Sequence, residues 1–267
     1  MARAFWKGAI SFGMVVIPVR MYTATANKTP LLHYLHKKCL TPPKQVLFCR
    51  QDNEYFSIKD TVKGYEYTKG QFVVLGENDL NKVPIKTVHA IDIHAFVEAH
   101  EIDPMYYYGI HYLEPEELGA KPFSLLREVL IKTKRVGMAK VAFQRREHLC
   151  CLRPLDDILV LHTMHFKDEV LPREELALPS QKIPAREMEM AKALVDALSR
   201  SFKPEEYRDE YSVALEKLVN AKLEGVELKA PKAPKAQVVD LTSALKASIE
   251  AVLKESERKA SSAAARK

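Results

Sequence analysis

From about Ala9 to Phe166 the apolar residues recur in short runs of period two, the spacing of half-buried strands. Ile17, Val19 and Met21 share one face of such a run, while Arg20 and Tyr22 take the other. Further strand-like runs cover Gln71 to Leu75, Val88 to Val97, Tyr106 to Leu113, Val136 to Phe143, Leu149 to Arg153 and Ile158 to Phe166. This spacing predicts an antiparallel barrel or sandwich. One helix interrupts it, with Pro122 at its first position and Phe123, Leu126, Val129 and Leu130 as its apolar stripe. Gln144 to Glu147 reads as a turn that exposes Arg145 and Arg146.

After Pro184 the period lengthens. Met188, Ala191, Leu194, Val195, Leu198 and Phe202 outline one amphipathic helix, and Tyr207, Tyr211, Leu215, Leu218 and Val219 a second that Gly225 stops. Such a pair serves equally as a subunit interface or as packing on its own barrel. Lys229 to Ala236 is a Pro-spaced basic linker. Beyond it Asp240 is placed to cap a further helix with apolar positions Leu241, Leu245, Ile249, Val252 and Leu253, which reads as a docking peptide for a partner groove, with a frayed end as the alternative. The organisation is therefore a mainly β core over 1–184, a helical extension over 185–226, a linker over 227–237, a docking helix over 238–256 and a disordered basic tail over 257–267.

Charge changes this picture. The first fifty-one residues hold eight lysines and arginines and no carboxylate; the first acidic side chain is Asp52. Residues 1–70 carry a net +7, residues 71–226 a net −5 and residues 227–267 a net +4, which sum to the overall +6. Two basic ends around an acidic middle argue for an anionic partner such as nucleic acid or a membrane surface. No run of about eighteen apolar residues is present, so no helix is expected to span a bilayer. Gly8, Gly13, Pro18 and the β-branched Val15, Val16 and Ile17 suit a strand rather than a transit helix, so the N-terminus reads as folded mature protein.

Four cysteines are too few for a disulfide scaffold and imply reduced cytosolic thiols. Cys150 and Cys151, adjacent in a strand, should point to opposite faces as small buried hydrophobes. His33, His36, Cys39 and Cys49 invite a zinc reading, but the Cys-x2-Cys knuckle of a structural site is missing. His162, His165, Asp168 and Glu169 form a second candidate, for metal ligation or acid–base work, although alternation would part the two histidines. No phosphate-cradling glycine loop, nucleophile elbow or zincin helix motif is present, which weighs against an enzyme. Lys37, Lys38, Lys44 and Arg50 surround the Cys39 to Cys49 segment, and Lys59, Lys63 and Lys69 continue the series among Tyr65 and Tyr67. Cations without a reading helix suit phosphate contacts, which position a protein but carry no sequence information. A metal-dependent hydrolase and a basic RNA-binding module remain competing readings.

Three motifs bear on the choice. Trp6-Lys-Gly-Ala-Ile-Ser-Phe-Gly-Met-Val-Val-Ile-Pro-Val-Arg-Met-Tyr22, Asp60-Thr-Val-Lys-Gly-Tyr-Glu-Tyr-Thr-Lys-Gly70 and Glu101-Ile-Asp-Pro104 resemble, in the same order, the signatures of bacterial Ku, the end-binding protein of nonhomologous end joining. Val238-Val-Asp-Leu-Thr-Ser-Ala-Leu-Lys-Ala-Ser-Ile249 is similar to that family's ligase-docking region.

The resemblance implies a homodimer whose two β-barrels and bridging arms close a ring around duplex DNA. The arm falls near residues 33–60. It also implies a non-catalytic protein of the bacterial nucleoid in the cytoplasm, without cofactor, that recruits an ATP-dependent end-joining ligase of the ligase D type through Val238, Val239, Leu241, Leu245 and Ile249. The expected DNA contacts are Lys37, Lys38, Lys44 and Arg50 on the arm, Arg20, Lys28, Lys63 and Lys69 on or beside the barrel, and then Arg145 and Arg146. The family arm resembles a zinc ribbon with two Cys-x2-Cys knuckles. Here Pro42 and Asp52 stand at the completing positions, so no metal is expected and other packing must hold the arm.

Overall fold

A strand that hides every second side chain needs a surface to hide it against, and in this chain that surface is a closed barrel. The computed structural model describes residues 3–83, 87, 89–143, 146–173, 176–177, 179–226 and 241–264, with side chains in the last segment through 252 and at 254. The chain runs through β1 (Trp6–Phe12) and β2 (Val15–Thr23) and leaves on an excursion. That excursion holds β3 (Leu47–Cys49), β4 (Glu54–Phe56), β5 (Lys63–Thr68), β6 (Gln71–Leu75) and the short helix α1 (Glu77–Asn81). It returns as β7 (Ala90–Glu98) and continues through β8 (Tyr107–Pro115), α2 (Ala120–Thr133), β9 (Arg135–Phe143), β10 (Arg146–Leu155) and β11 (Ile158–Met164). Seven strands close in the order β1-β2-β8-β11-β10-β9-β7. Every pairing is antiparallel except the parallel seam of β1 with β7, where Ala9 faces Ala90 and Ser11 faces Asp92.

The predicted alternation of β2 holds: Ile17, Val19 and Met21 are buried, and Arg20 and Tyr22 lie on the other face. Ile10, Ile91, Leu113, Val141, Cys150, Leu152, Leu159 and Leu161 join them in one core, which Phe123, Leu126 and Leu130 of α2 complete. Each such side chain contributes about 1.5–3 kcal/mol through burial. Val136, Cys151 and Met164 belong to a second cluster, with Tyr106 and Tyr107 packed on it. Cys150 and Cys151 thus face opposite ways, as their adjacency predicts.

Helix α2 departs from expectation in two details. It begins at Ala120, so Pro122 is its third residue; the first-turn N–H groups have no intrahelical acceptor, so a proline there loses nothing. Val129, expected on the buried stripe, is 46% exposed. The expected turn of Gln144 to Glu147 is only partly described: Arg145 lies outside the described residues, and Arg146 opens β10, paired with Phe143.

One end of the barrel interior is polar. His111 Nδ1, His148 Nε2 and Thr163 Oγ1 are buried there without a hydrogen-bond partner among the described residues. Burial, with His148 close by, holds His111 below the usual imidazole range, and burial, with Arg146 close by, does the same to His148. Thr23 pairs with His111, so the excursion leaves the barrel from this end.

The chain forms two compact units, residues 1–173 and 174–267. The second unit contains α3 (Ala185–Leu198), α4 (Glu210–Leu223) and α5 (Leu241–Ala264), with α3 lying against α5. Asp209 caps α4 by accepting from the backbone N–H groups of Tyr211 and Ser212, each at 3.1 Å, and Gly225, with a φ of 73°, follows its end as predicted. Helix α5 runs through Ala264, well into the tail expected to be disordered; its alanines and lysines are strong helix formers. The linker 227–237, Asp240, Val238 and Val239 lie outside the described residues. No described helix is long and apolar enough to cross a membrane.

Candidate nucleic-acid interface

Residues 24–89 between β2 and β7 form an arm of two separate hairpins, β3–β4 and β5–β6. Its turns are closed by backbone bonds and left-handed residues, and the closures put cations at their tips. In the first turn His36 N donates to Thr41 O at 2.9 Å and Leu40 N to His36 O at 2.7 Å, with Leu40 at a φ of 54°. Lys37 and Lys38 sit on that loop. The β3–β4 turn bends at Asn53, with a φ of 53°, and carries Arg50. The two-residue β5–β6 turn is Lys69-Gly70, where glycine supplies the φ of 80°.

The arm separates its charges by role. Four of its carboxylates engage local structure: Asp60 accepts from Ser57 N at 3.1 Å, Glu66 from Gly70 N at 2.7 Å, Asp79 from Gly76 N at 3.1 Å and Asp52 from the Cys49 thiol at 3.1 Å. Lys28, Lys37, Lys38, Lys44, Arg50, Lys63 and Lys69 are all exposed, and none has a carboxylate within 4.0 Å among the described residues. The two remaining described candidates differ. Arg20 Nε donates to Glu116 Oε1 at 3.1 Å, and Arg146 is paired with Glu169. Among the described DNA-contact candidates, the unpaired cations therefore lie on the arm, including Lys28, Lys63 and Lys69, which were expected on or beside the barrel, and the two paired ones lie on the barrel.

The metal-ligand pattern resolves into two separate pairs. His36 Nδ1 lies 3.1 Å from Cys39 Sγ, which also meets Thr41 Oγ1 at 2.9 Å, and Cys49 donates to Asp52. Among the described residues no three potential ligands come together. These residues do not fit a zinc ribbon. Local packing holds the arm instead: the two β-ladders, the caps and the Phe48–Tyr55 ring contact, with centroids 5.0 Å apart.

The His162 constellation is dispersed in the same way. His162 is 6% exposed, accepts from Arg153 Nε at 2.7 Å and lies against the Tyr107 ring. Burial first, and then Arg153, push its pKa down to about 4. His165 sits past the end of β11, with Nδ1 3.6 Å from Glu169, and Asp168 is exposed. Nothing in the sequence sets Arg153 apart from other strand cations.

Comparison with known proteins bears on the barrel and the arm together. Residues 11–196 match the family model described as the Ku70/Ku80 beta-barrel domain. That span takes in both arm hairpins and nearly the whole barrel. The chain belongs to the Ku family. Proteins named non-homologous end joining protein Ku are similar to it along most of its length. The Solibacter usitatus protein is 40% identical over 97% of this chain and 97% of its own. The Symbiobacterium thermophilum protein is 40% identical over 93% of this chain, which spans 63% of that longer relative. The Bacillus subtilis protein is 39% identical over 92% of this chain and 81% of its own. Ku membership places the chain among the DNA-binding repair proteins of non-homologous end joining.

Proposed function

We propose that this Ku chain binds double-stranded DNA ends, independent of sequence, as a ring-shaped homodimer, recruits an ATP-dependent DNA ligase and catalyses nothing itself. The arm carries this reading. Its hairpins expose Tyr55, Ile58, Tyr65, Tyr67, Phe72 and Val74, each with more than half of its surface open, and an open groove of about 660 Å³ runs between Val46, Leu47, Tyr55, Phe56 and Ile58. A two-stranded hairpin with both faces bare is marginal alone. A second copy of the same arm supplies matching apolar surface and closes a ring lined with the unpaired cations. Those cations bind phosphates by counterion release, without reading bases.

The test is a native gel at moderate salt comparing a short linear duplex with the same DNA closed into a circle. Binding to the linear form alone is expected, because a closed ring loads only over an end; equal binding to both sinks the ring.

Ligase recruitment rests on the segment 238–256. Leu241 of α5 is exposed, while Leu245 and Ile249 are half-buried in a helix that lies against α3. Deleting 238–256 should leave DNA binding intact and lower stimulation of an end-joining ligase. Undiminished stimulation would place the docking surface elsewhere.

A further inference from the structure

Several cations of the barrel and its helix are answered by carboxylates: Arg20 by Glu116, Arg127 by Glu128, Lys140 by Glu147 and Arg146 by Glu169. Arg153 is answered by an imidazole. It is half-buried in β10, its Nε donates to Nε2 of His162 in neighbouring β11 at 2.7 Å, and no described carboxylate pairs with it.

An arginine keeps its proton, so His162 accepts at Nε2 and is the neutral tautomer protonated at Nδ1. The other groups that face this guanidinium are neutral too. Burial first pushes the Tyr107 phenol up to about 12 and the Cys151 thiol up to about 11. The positive charge is thus fixed in direction by a buried ring and has no counter-charge among the described residues. Anchoring through Nε also leaves the two Nη nitrogens. Neither has a partner among the described residues and neither is buried, so together they present the fork that takes two oxygens of one oxyanion.

We propose that Arg153 is an oxyanion-binding residue of the barrel wall, oriented by His162, whose ligand is a phosphate group. On the end-binding reading above, on which this identification of the source rests, that phosphate belongs to the DNA backbone; free polyphosphate is the other source of the same chemistry.

The experiment follows the Nε–H resonance of Arg153 by NMR in the full chain, assigned with R153K, while a short blunt duplex or sodium tripolyphosphate is added at equal phosphate concentration. A shift with the duplex alone identifies backbone phosphate, and a shift with both identifies a general oxyanion site. No shift in either while anisotropy shows the duplex bound overturns the proposal and leaves end binding standing. If the duplex does not bind, a tripolyphosphate shift upholds the site while the end-binding reading falls, and its absence overturns both.

In the companion salt titration, folded R153Q is expected to bind the duplex about tenfold more weakly. Its salt slope should be lower by about one unit. R153K should keep the slope and lose part of the affinity, since ammonium is a point charge without the fork. His162 acts through Arg153 and is a positioning residue: H162Q, which retains an acceptor, should bind better than H162L. An unchanged slope in R153Q overturns the assignment.

Discussion

Replacing Lys37, Lys38, Arg50 and Lys69 together by alanine is expected to weaken duplex binding equally on all sequences and to flatten its dependence on salt, by about one unit of slope for each phosphate contact removed. The four cations stand at the tips of three arm turns and none has a described carboxylate neighbour, so no internal ion pair is lost with them. The same substitutions should leave the unfolding midpoint nearly unchanged, since exposed cations without partners add little stability. Anisotropy titrations between low and moderate salt measure the slope. An unaltered slope with an intact fold would remove the arm tips from the interface and shift attention to the barrel wall. Alanine at Arg20 or Arg146 should behave differently, because each also takes a partner from a carboxylate, leaving Glu116 with Lys7 and Glu169 with the Phe166 N–H and His165.

Acidification from pH 7.5 to about 4 is expected to lower the unfolding free energy through the buried histidines, on the order of 2–3 kcal/mol from His162 alone. Burial holds His162 at about 4 and keeps His111 and His148 below the ordinary imidazole range. The unfolded chain therefore takes up protons first as pH falls through about 6.5. Stability from these groups is fully present above that value, declines below it and levels off once the folded-state histidines titrate. Carboxylates held low by their partners, such as Glu147 by Lys140, begin to add their loss only as pH falls into the usual carboxylate range, and complete it beneath that range. Urea unfolding of the wild type and H162Q at several pH values separates the two windows. An equally steep decline in H162Q would show that His162 burial is not its source.

The barrel strands could be read in the sequence because each buries one face. The alternation of Ile17, Val19 and Met21 with Arg20 and Tyr22 is the physical signature of that half-burial. The arm hairpins could not be read so well. β3 and β4 are three residues each, too short for a period, and every residue of β5 is exposed, so no burial pattern exists to detect. β6 is legible from its apolar run, Phe72 to Leu75, although most of that run stays exposed. In the candidate site the sequence supplied the cations but not which of them carboxylates engage: Glu116 lies ninety-six residues from Arg20 and Glu169 twenty-three from Arg146, separations that only the closed barrel brings together. The Arg153–His162 pair was hidden for a related reason, since it is defined across two strands.

The parallel seam between β1 and β7 sets the order in which the barrel can assemble. β9, β10 and β11 meet through short connections and can pair early, whereas Ala9 must find Ala90 across the whole arm. Closure of that seam is then the slow, nonlocal step of folding, and its entropic cost grows only with the logarithm of the intervening length. Doubling the arm would cost about 0.6 kcal/mol. A barrel closed in this way lets the arm vary in length at little expense in stability, so the span of the arm is free to change while the barrel that carries it stays the same.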